Sequence, residues 1–449
     1  MDRGCSKTAI RRTPGMADDT ALGTVVLGLE GFVLLEAREV DGEVELAVET
    51  MAVTTGCPEC GVVARAHGRR ATVVRDVAMG GRPCRLAWSK RLWRCEEQLC
   101  PKRTWTERRD DAALPRAVLT ERARAHVCVQ VGRHGRPVAQ LAREFGTGWN
   151  TAMAAVRDHG LPLTEDPART AGVASLGVDE TSFQAAGPRR RTTFVTGLVD
   201  LDTGRLLDVV DGRAGTSVAG WLQQRGDGWL SAVRRVALDP HRGYLNALLE
   251  GLDAPTAVVD AFHVIKLANT VVDEVRRRVQ QDEMGHRGHK GDPLYGIRRT
   301  LLVGTERLTD KGKARLEAAL VAGDPDCEVW YAHHVKELLR RVYRADAHDE
   351  AADRLEEFHE ACQFVEIPEI RRLARTLRHW HHQLLAYWRC DGLSNGKTEA
   401  INALIKRIKR VGHGFRNLAN YRLRLLLFCG KPAWQDQPAA RLRGPRHAS

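Results

Sequence analysis

The chain has 449 residues, 43% of them apolar, with 69 Lys and Arg against 57 Asp and Glu and a formal net charge of +12. That length predicts about three domains, the apolar share supports more than one buried core, and the positive surplus points to a polyanionic partner. Eleven cysteines, an odd number, stand as two tight pairs near the N-terminus with the rest scattered, which argues against a disulfide framework and for metal binding in a reducing compartment.

Residues 1–20 are polar and charged and lack the apolar stretch of a signal peptide. They are expected to be a disordered N-terminus, with Met16 as an alternative start. The later apolar stretches, Val25 to Leu35 and Leu423 to Cys429, are too short or too interrupted to span a bilayer. The expected location is therefore cytoplasmic. Residues 21–112 form a β-rich segment, with runs TVVLGL, FVLLEA and EVELAVE broken by Gly and Asp. Within it, Cys57-Pro-Glu-Cys60-Gly is a knuckle in which two thiolates can grip one tetrahedral ion. Cys95 and Cys100 supply a second pair, and the alternating segments between suit the hairpins of a zinc ribbon. His67 and Cys84 are substitute ligands; ordinary buried cysteines or a redox pair form the competing reading.

Residues 113–165 turn helical. Arg136 to Phe145 has apolar residues at helical spacing, Gly146-Thr-Gly148 breaks it, and Trp149 to His159 forms a second helix. Two short helices around a glycine turn suit a helix-turn-helix, with Asn150, Thr151 and Arg157 as candidate DNA contacts. Two core helices of a linker domain would give the same pattern.

Between 170 and 263, apolar runs at strand length (VASLGVD, TTFVTGLVD, RLLDVVD, VRRVALD, TAVVDAF) mix with one helix, Ser217 to Trp229, so an α/β sheet is expected. Asp179 closes the first run and Asp239 closes the fourth. A hairpin and a helix between them match the first and fourth strands of a ribonuclease-H-like sheet, which would hold the two carboxylates side by side. Two-metal phosphodiester chemistry needs that closeness, because cations roughly 4 Å apart must be flanked by negative oxygens. Asp260 and His263 follow the TAVV strand and are expected near the same sheet edge, as catalytic-site support or as a structural hydrogen-bonding pair.

Residues 264–389 read as a long helical insertion, broken near 285–291 and at Asp324-Pro325, and 390–430 return to the catalytic domain. There a last helix, capped by Ser394 or Asn395, runs to about Val411 and carries Glu399 in its first turns. Asn402, Lys406 and Arg410 fall near the Glu399 face, at steps that nearly complete whole turns. They are expected as DNA contacts beside a metal-binding acid. Residues 431–449 form a basic tail.

The blocks CPECG, CEEQLCPKRTWTE, LGVDETSF, VALDPHRGY, VVDAFHVIKLAN and SNGKTEAINALIKRIKRVGHGFRN resemble the ISL-three group of bacterial insertion-sequence transposases, within the wider DDE transposases. The resemblance spans about residues 22 to 429. It implies that Asp179, Asp239 and Glu399 are the catalytic triad, that the long stretch between the last two holds a helical insertion, and that Asp260 and His263 form the D-x-x-H pair of related enzymes. It implies metal-dependent hydrolysis and strand transfer on double-stranded DNA at terminal inverted repeats, with Mg2+ or Mn2+ at the carboxylates, structural Zn2+ at the cysteines, and a dimer or larger assembly. A domesticated zinc-ribbon and helix-turn-helix regulator that no longer cuts is the alternative, and a structure-selective nuclease a second one.

Overall fold

The computed structural model describes residues 27–51 and 53–434; the expected disordered segment 1–20, Met16 and residues 435–449 of the tail lie outside the described residues. The chain folds as two compact units, Met1–Asp166 with Ile408–Ser449, and Pro167–Arg407. It is a mixed α/β protein, and no helix among the described residues is long and apolar enough to cross a membrane.

The first unit opens with a five-stranded sheet of β1 (Phe32–Val40), β2 (Glu43–Thr50), β3 (Arg65–Met79), β4 (Arg82–Arg94) and β5 (Thr104–Thr106), in the order β1-β2-β4-β3 with β5 on β4. Asp41-Gly42 and Gly80-Gly81 close its two hairpins with positive φ at both positions, the tight-turn geometry that matches strand twist. Alternate residues Val44, Leu46, Val48, Leu86 and Trp88 point into one core, where Phe32 meets Trp88 edge to face at 5.1 Å. The described part of the TVVLGL run is no strand: Leu27 is buried in this core, and Leu29 accepts a turn hydrogen bond from Phe32 N–H.

Three helices follow, α1 (Glu121–Gly132), α2 (Val138–Glu144) and α3 (Trp149–Thr164). Thr120 caps α1 by accepting from Ala123 N–H and donating to buried Asp76, which also pairs with Arg122. A further helix, α15 (Leu418–Cys429), lies in this unit and inserts Leu423 and Leu427 among Val127, Val131, Met153 and Val156. Gly160, inside α3, permits the approach, since a Cβ there would stand 2.9 Å from Leu427 Cδ1. The helix expected to end near Val411 does so, and this further helix follows it. The apolar run Leu423–Cys429 is a packed helix, and its unit is the first.

The second unit is built on β6 (Ser175–Gln184), β7 (Thr193–Asp200), β8 (Arg205–Asp211), β9 (Arg235–Leu238) and β10 (Thr256–Val259), ordered β10-β9-β6-β7-β8. β6, β9 and β10 run parallel and β7 antiparallel to both neighbours. The helix expected over Ser217 to Trp229 is two, α4 (Gly215–Leu222) and α5 (Asp227–Ala232); Gln223 ends the first, and Gly226, extended at φ −78° and ψ 156°, stands at the N-cap of the second. α6 (Arg242–Gly251) then precedes β10. From there the chain is helical: α7 (Ala261–Met284), α8 (Pro293–Gly296), α9 (Asp310–Gly323), α10 (Glu328–Val342), α11 (His348–Ala361), α12 (Pro368–His379), α13 (His381–Arg389) and α14 (Gly396–Val411). Sheet and helices share one continuous core, running from Leu176 and Val236 through Val272 to Leu339 and Phe358.

Candidate active site and cysteine centre

Parallel pairing of β6 with β9 ends at Val178 opposite Leu238, so Asp179 and Asp239 are the next residues on adjacent strands. Asp179 does not end its strand as expected. β6 continues to Gln184 because its other edge keeps pairing with β7, Glu180 against Thr196 and Thr181 against Val195. Asp179 is drawn inward: Oδ1 accepts from Glu180 N–H at 2.8 Å and Oδ2 from the Asn402 amide at 2.6 Å. Burial, reinforced by the Asp239 charge, pushes its carboxyl up to about 7.

His263 ties two acids together. Its Nε2 lies 2.9 Å from Asp239 Oδ2 and its Nδ1 3.2 Å from Asp260 Oδ2. Burial alone would lower its pKa, but hydrogen bonds to Asp239 and Asp260 outweigh that and hold it up to about 10, so at neutral pH the ring is an imidazolium between carboxylates. Asp260 caps α7 by accepting from His263 N–H, and its other oxygen accepts from Asn395 N–H at 2.9 Å. Burial works against the charged form of Asp260, yet these donors win and keep its pKa below the ordinary value.

The start of α14 completes the cluster. Exposed Glu399 places a carboxylate oxygen in a group with Asp260 and His263 whose possible ligand atoms all lie within 4.8 Å of one another. Asn395, fully buried, donates Nδ2 toward Val178 O and Asp239 Oδ1, each at 3.4 Å. Close approach of α14 to β6 requires Gly177, where a Cβ would lie 2.2 Å from Thr398 Oγ1 and 3.0 Å from Asn395 Oδ1.

One expected DNA contact is corrected here. Asn402 is buried, donating to Asp179 and accepting from Thr181 Oγ1 at 2.8 Å, so it faces the strand and no solvent-borne ligand. Lys406 and Arg410 are exposed on α14, and Asn150 and Arg157 are exposed on α3 with Thr151 half-buried. Asn395 and Thr181 carried no site role in the sequence reading. The signal for Thr181 is strand alternation, which puts residues 177, 179 and 181 on one face of β6.

For a divalent ion the test is the donor set. Hard carboxylate oxygens dominate, two acids abut on neighbouring strands, and one resists ionisation beside the other; a cation at this edge relieves that repulsion, so the residues fit one.

In the first unit Cys57, Cys60, Cys95 and Cys100 bring four sulfurs within 4.8 Å of one another, with Cys57–Cys100 at 3.8 Å and Cys60–Cys95 at 3.5 Å. Zinc–sulfur bonds of about 2.3 Å in a tetrahedron give sulfur separations of about 3.8 Å, so the four fit zinc. Gly61, at φ +75°, turns the first knuckle and donates to Cys57 O. The substitute ligands are corrected: Cys84 is buried in the sheet core with Trp88, and His67 is exposed on β3 outside the group.

A four-cysteine ribbon, a helical segment, and a mixed sheet with acids gathered where parallel strands end define a multidomain α/β protein with an N-terminal zinc-ribbon region. The chain belongs to the ISL-three (ISL3) family of DDE transposases: the family model described as "Transposase" matches residues 176–425, and that described as "zinc-finger of transposase IS204/IS1001/IS1096/IS1165" matches residues 54–100. It is 26% identical over 292 residues to the transposase for insertion sequence element IS1557 of two Mycobacterium tuberculosis strains, CDC 1551 / Oshkosh and H37Rv, covering 60% of this chain and 63% of theirs. To the transposase for insertion sequence element IS1001 of Bordetella parapertussis it is 24% identical over 306 residues, covering 67% of this chain and 71% of that one. The chain thus spans less than two thirds of the length of the Mycobacterium relatives.

Proposed function

We propose that the protein is an insertion-sequence transposase that cuts DNA at transposon ends and joins the freed 3′-OH to target DNA. Asp179, Asp239 and Glu399 hold the divalent cations, magnesium or manganese, on a ribonuclease-H-like sheet. The observation that supports this reading is the gathering of Asp179 and Asp239 past the paired ends of adjacent parallel strands, with His263 joining Asp239 to Asp260 and grouping with Glu399 from the first turn of a helix far along the chain. Bound magnesium supplies Lewis acidity for the attacking and leaving oxygens. The chain's own groups set the stage for it. Asn402 fixes the rotation of Asp179, and the His263 imidazolium orients Asp239 while compensating negative charge. Asn395 locks the Asp260 carboxylate against the start of α14. Asn150, Thr151 and Arg157 of the helix-turn-helix and the cations Lys406 and Arg410 contact DNA, and two copies or more act together because two ends must be cut. Residues 113–165 serve as the helix-turn-helix domain and the helices after His263 as the insertion.

A strand-transfer assay with end-bearing oligonucleotides tests this. Wild type is expected to nick and join in magnesium or manganese, while Asp239→Ala binds the same ends and leaves them intact. Wild type that binds ends and never cuts would overturn the enzyme reading.

A further inference from the structure

The helical part of the second unit holds a basic cleft away from the acidic cluster. α7 ends at Gly285 (φ +72°), and Gly288 (φ +113°) and Gly291 (φ +112°) fold the following loop back along it. A Cβ at Gly288 would stand 2.8 Å from both Gln280 Oε1 and Tyr295 Cδ2, so the loop is seated firmly against α7. Between α7, the loop and α8 lies a cleft of about 480 Å³ lined by Arg276, Arg277, Arg287, Arg298 and Arg299, with Asp273 as its one carboxylate. Asp273 is already engaged by Arg276 and Arg277. Arg287 and Arg299 are exposed, and Arg298 lies over the Tyr295 ring at 4.0 Å while donating to Tyr295 O. Like charges so close repel one another, an arrangement that an anionic ligand stabilises.

The cleft does not stand alone. Arg277 and Arg287 also line a second one, of about 360 Å³, whose acids Glu274 and Asp282 pair with Arg372 and Arg278. Tyr295 and Arg298 also line a third, of about 820 Å³, with Lys290 and Arg315. The three share lining residues and together offer far more room than one small anion occupies, which suits a backbone that presents several phosphates. Guanidinium groups favour it further, because each can grip a phosphate with two parallel hydrogen bonds.

We propose that this arginine tract is a second DNA-binding surface, taking the phosphate backbone of a duplex without reading its sequence. It rests on the reading of the protein as one that acts on DNA. The test measures affinity of the full chain for end-bearing duplexes between 50 and 200 mM salt, comparing wild type with Arg287→Glu/Arg299→Glu. A double variant Lys311→Glu/Lys313→Glu, on exposed α9 positions, changes net charge equally. Affinity is expected to fall at least about tenfold in the arginine variant only, and the slope of log affinity against log salt to shrink by about 2, one phosphate contact per arginine lost. Arg287→Gln/Arg299→Gln, with folding checked by circular dichroism, covers the case in which charge reversal unfolds the region; it removes the same two contacts, so the slope should again shrink by about 2. Equal losses in the lysine control, or an unchanged slope in both arginine variants, overturn the proposal. So does cleft-dependent binding of inorganic phosphate with DNA affinity untouched, which marks a small-anion site. Cutting by wild type with no slope change removes the tract alone, whereas wild type that neither binds nor cuts DNA removes the functional reading with it.

Discussion

Asn402 gives both faces of its amide to one strand, donating to Asp179 and accepting from Thr181. Asn402→Ala leaves a buried carboxylate and a buried hydroxyl without that partner. Cleavage is expected to fall about 10–100-fold, the usual effect of losing a group that orients a metal-binding acid, with end binding unchanged in a gel-shift assay. A variant that binds and cuts like wild type would show that Asp179 needs no such brace. The acids themselves were legible, since Asp179 and Asp239 close apolar runs and Glu399 opens a helical one. Asn402 was not: shortly past Glu399, it lies some 60° around the helix, and only the position of β6 decides that this offset means burial instead of solvent.

Elements carry two further predictions. The paired knuckles of the ribbon hold no large apolar core beyond the cysteines and Trp105, so metal binding supplies much of their folding free energy. Cys60→Ala is expected to take zinc from one ion per chain to none by elemental analysis, and to open residues 54–106 to protease while the second unit keeps its resistance. Unchanged zinc content would remove the four-cysteine site. In the helical part, His333 on α10 and His359 on α11 are buried, and burial, aided by Lys336 and Arg378 respectively, lowers each from an ordinary 6.5 to about 4. A depressed folded-state pKa means that the unfolded chain takes up the proton first. The stability these neutral rings contribute is present above about 6.5 and lost as pH falls toward 4, by up to about 1.4 kcal/mol per pH unit for each. Urea titrations at pH 7 and pH 5 should show that loss, and His333→Gln/His359→Gln should flatten it.

Element positions were mostly readable from apolar periodicity. The strands of the second sheet form where its five runs stand, and α7 and α9 stop at the glycine and Asp324-Pro325 breaks. What escaped had tertiary causes. β6 outruns its apolar stretch because β7 pairs with the polar residues Glu180, Thr181, Ser182 and Gln184, and a composition rule sees no strand there. α15 escaped because its apolar run was weighed only against a bilayer, while its real partners, α1 and α3, stand far earlier in the chain.

Across the whole molecule, the last described helices finish structures begun far upstream. Leu427 is fully buried among residues of α1 and α3. Leu427→Ala is expected to destabilise the first unit by about 2–5 kcal/mol, read as an earlier thermal transition while the second unit's is unmoved. A single shared shift would mean the units melt as one. In the second unit the Asp179–Asn402 hydrogen bond joins positions 223 residues apart, a loop closure that no local contact can hasten.

Synthesis proceeds from the N-terminus, so for most of the time this chain spends on the ribosome its acidic centre lacks Asn395, Glu399 and Asn402, and α1 and α3 lack their apolar cover. An interrupted product that stops before α14 therefore lacks part of the acidic centre and leaves the apolar faces of α1 and α3 uncovered. The order of the sequence itself makes the acidic centre one of the last parts of the second unit to be completed.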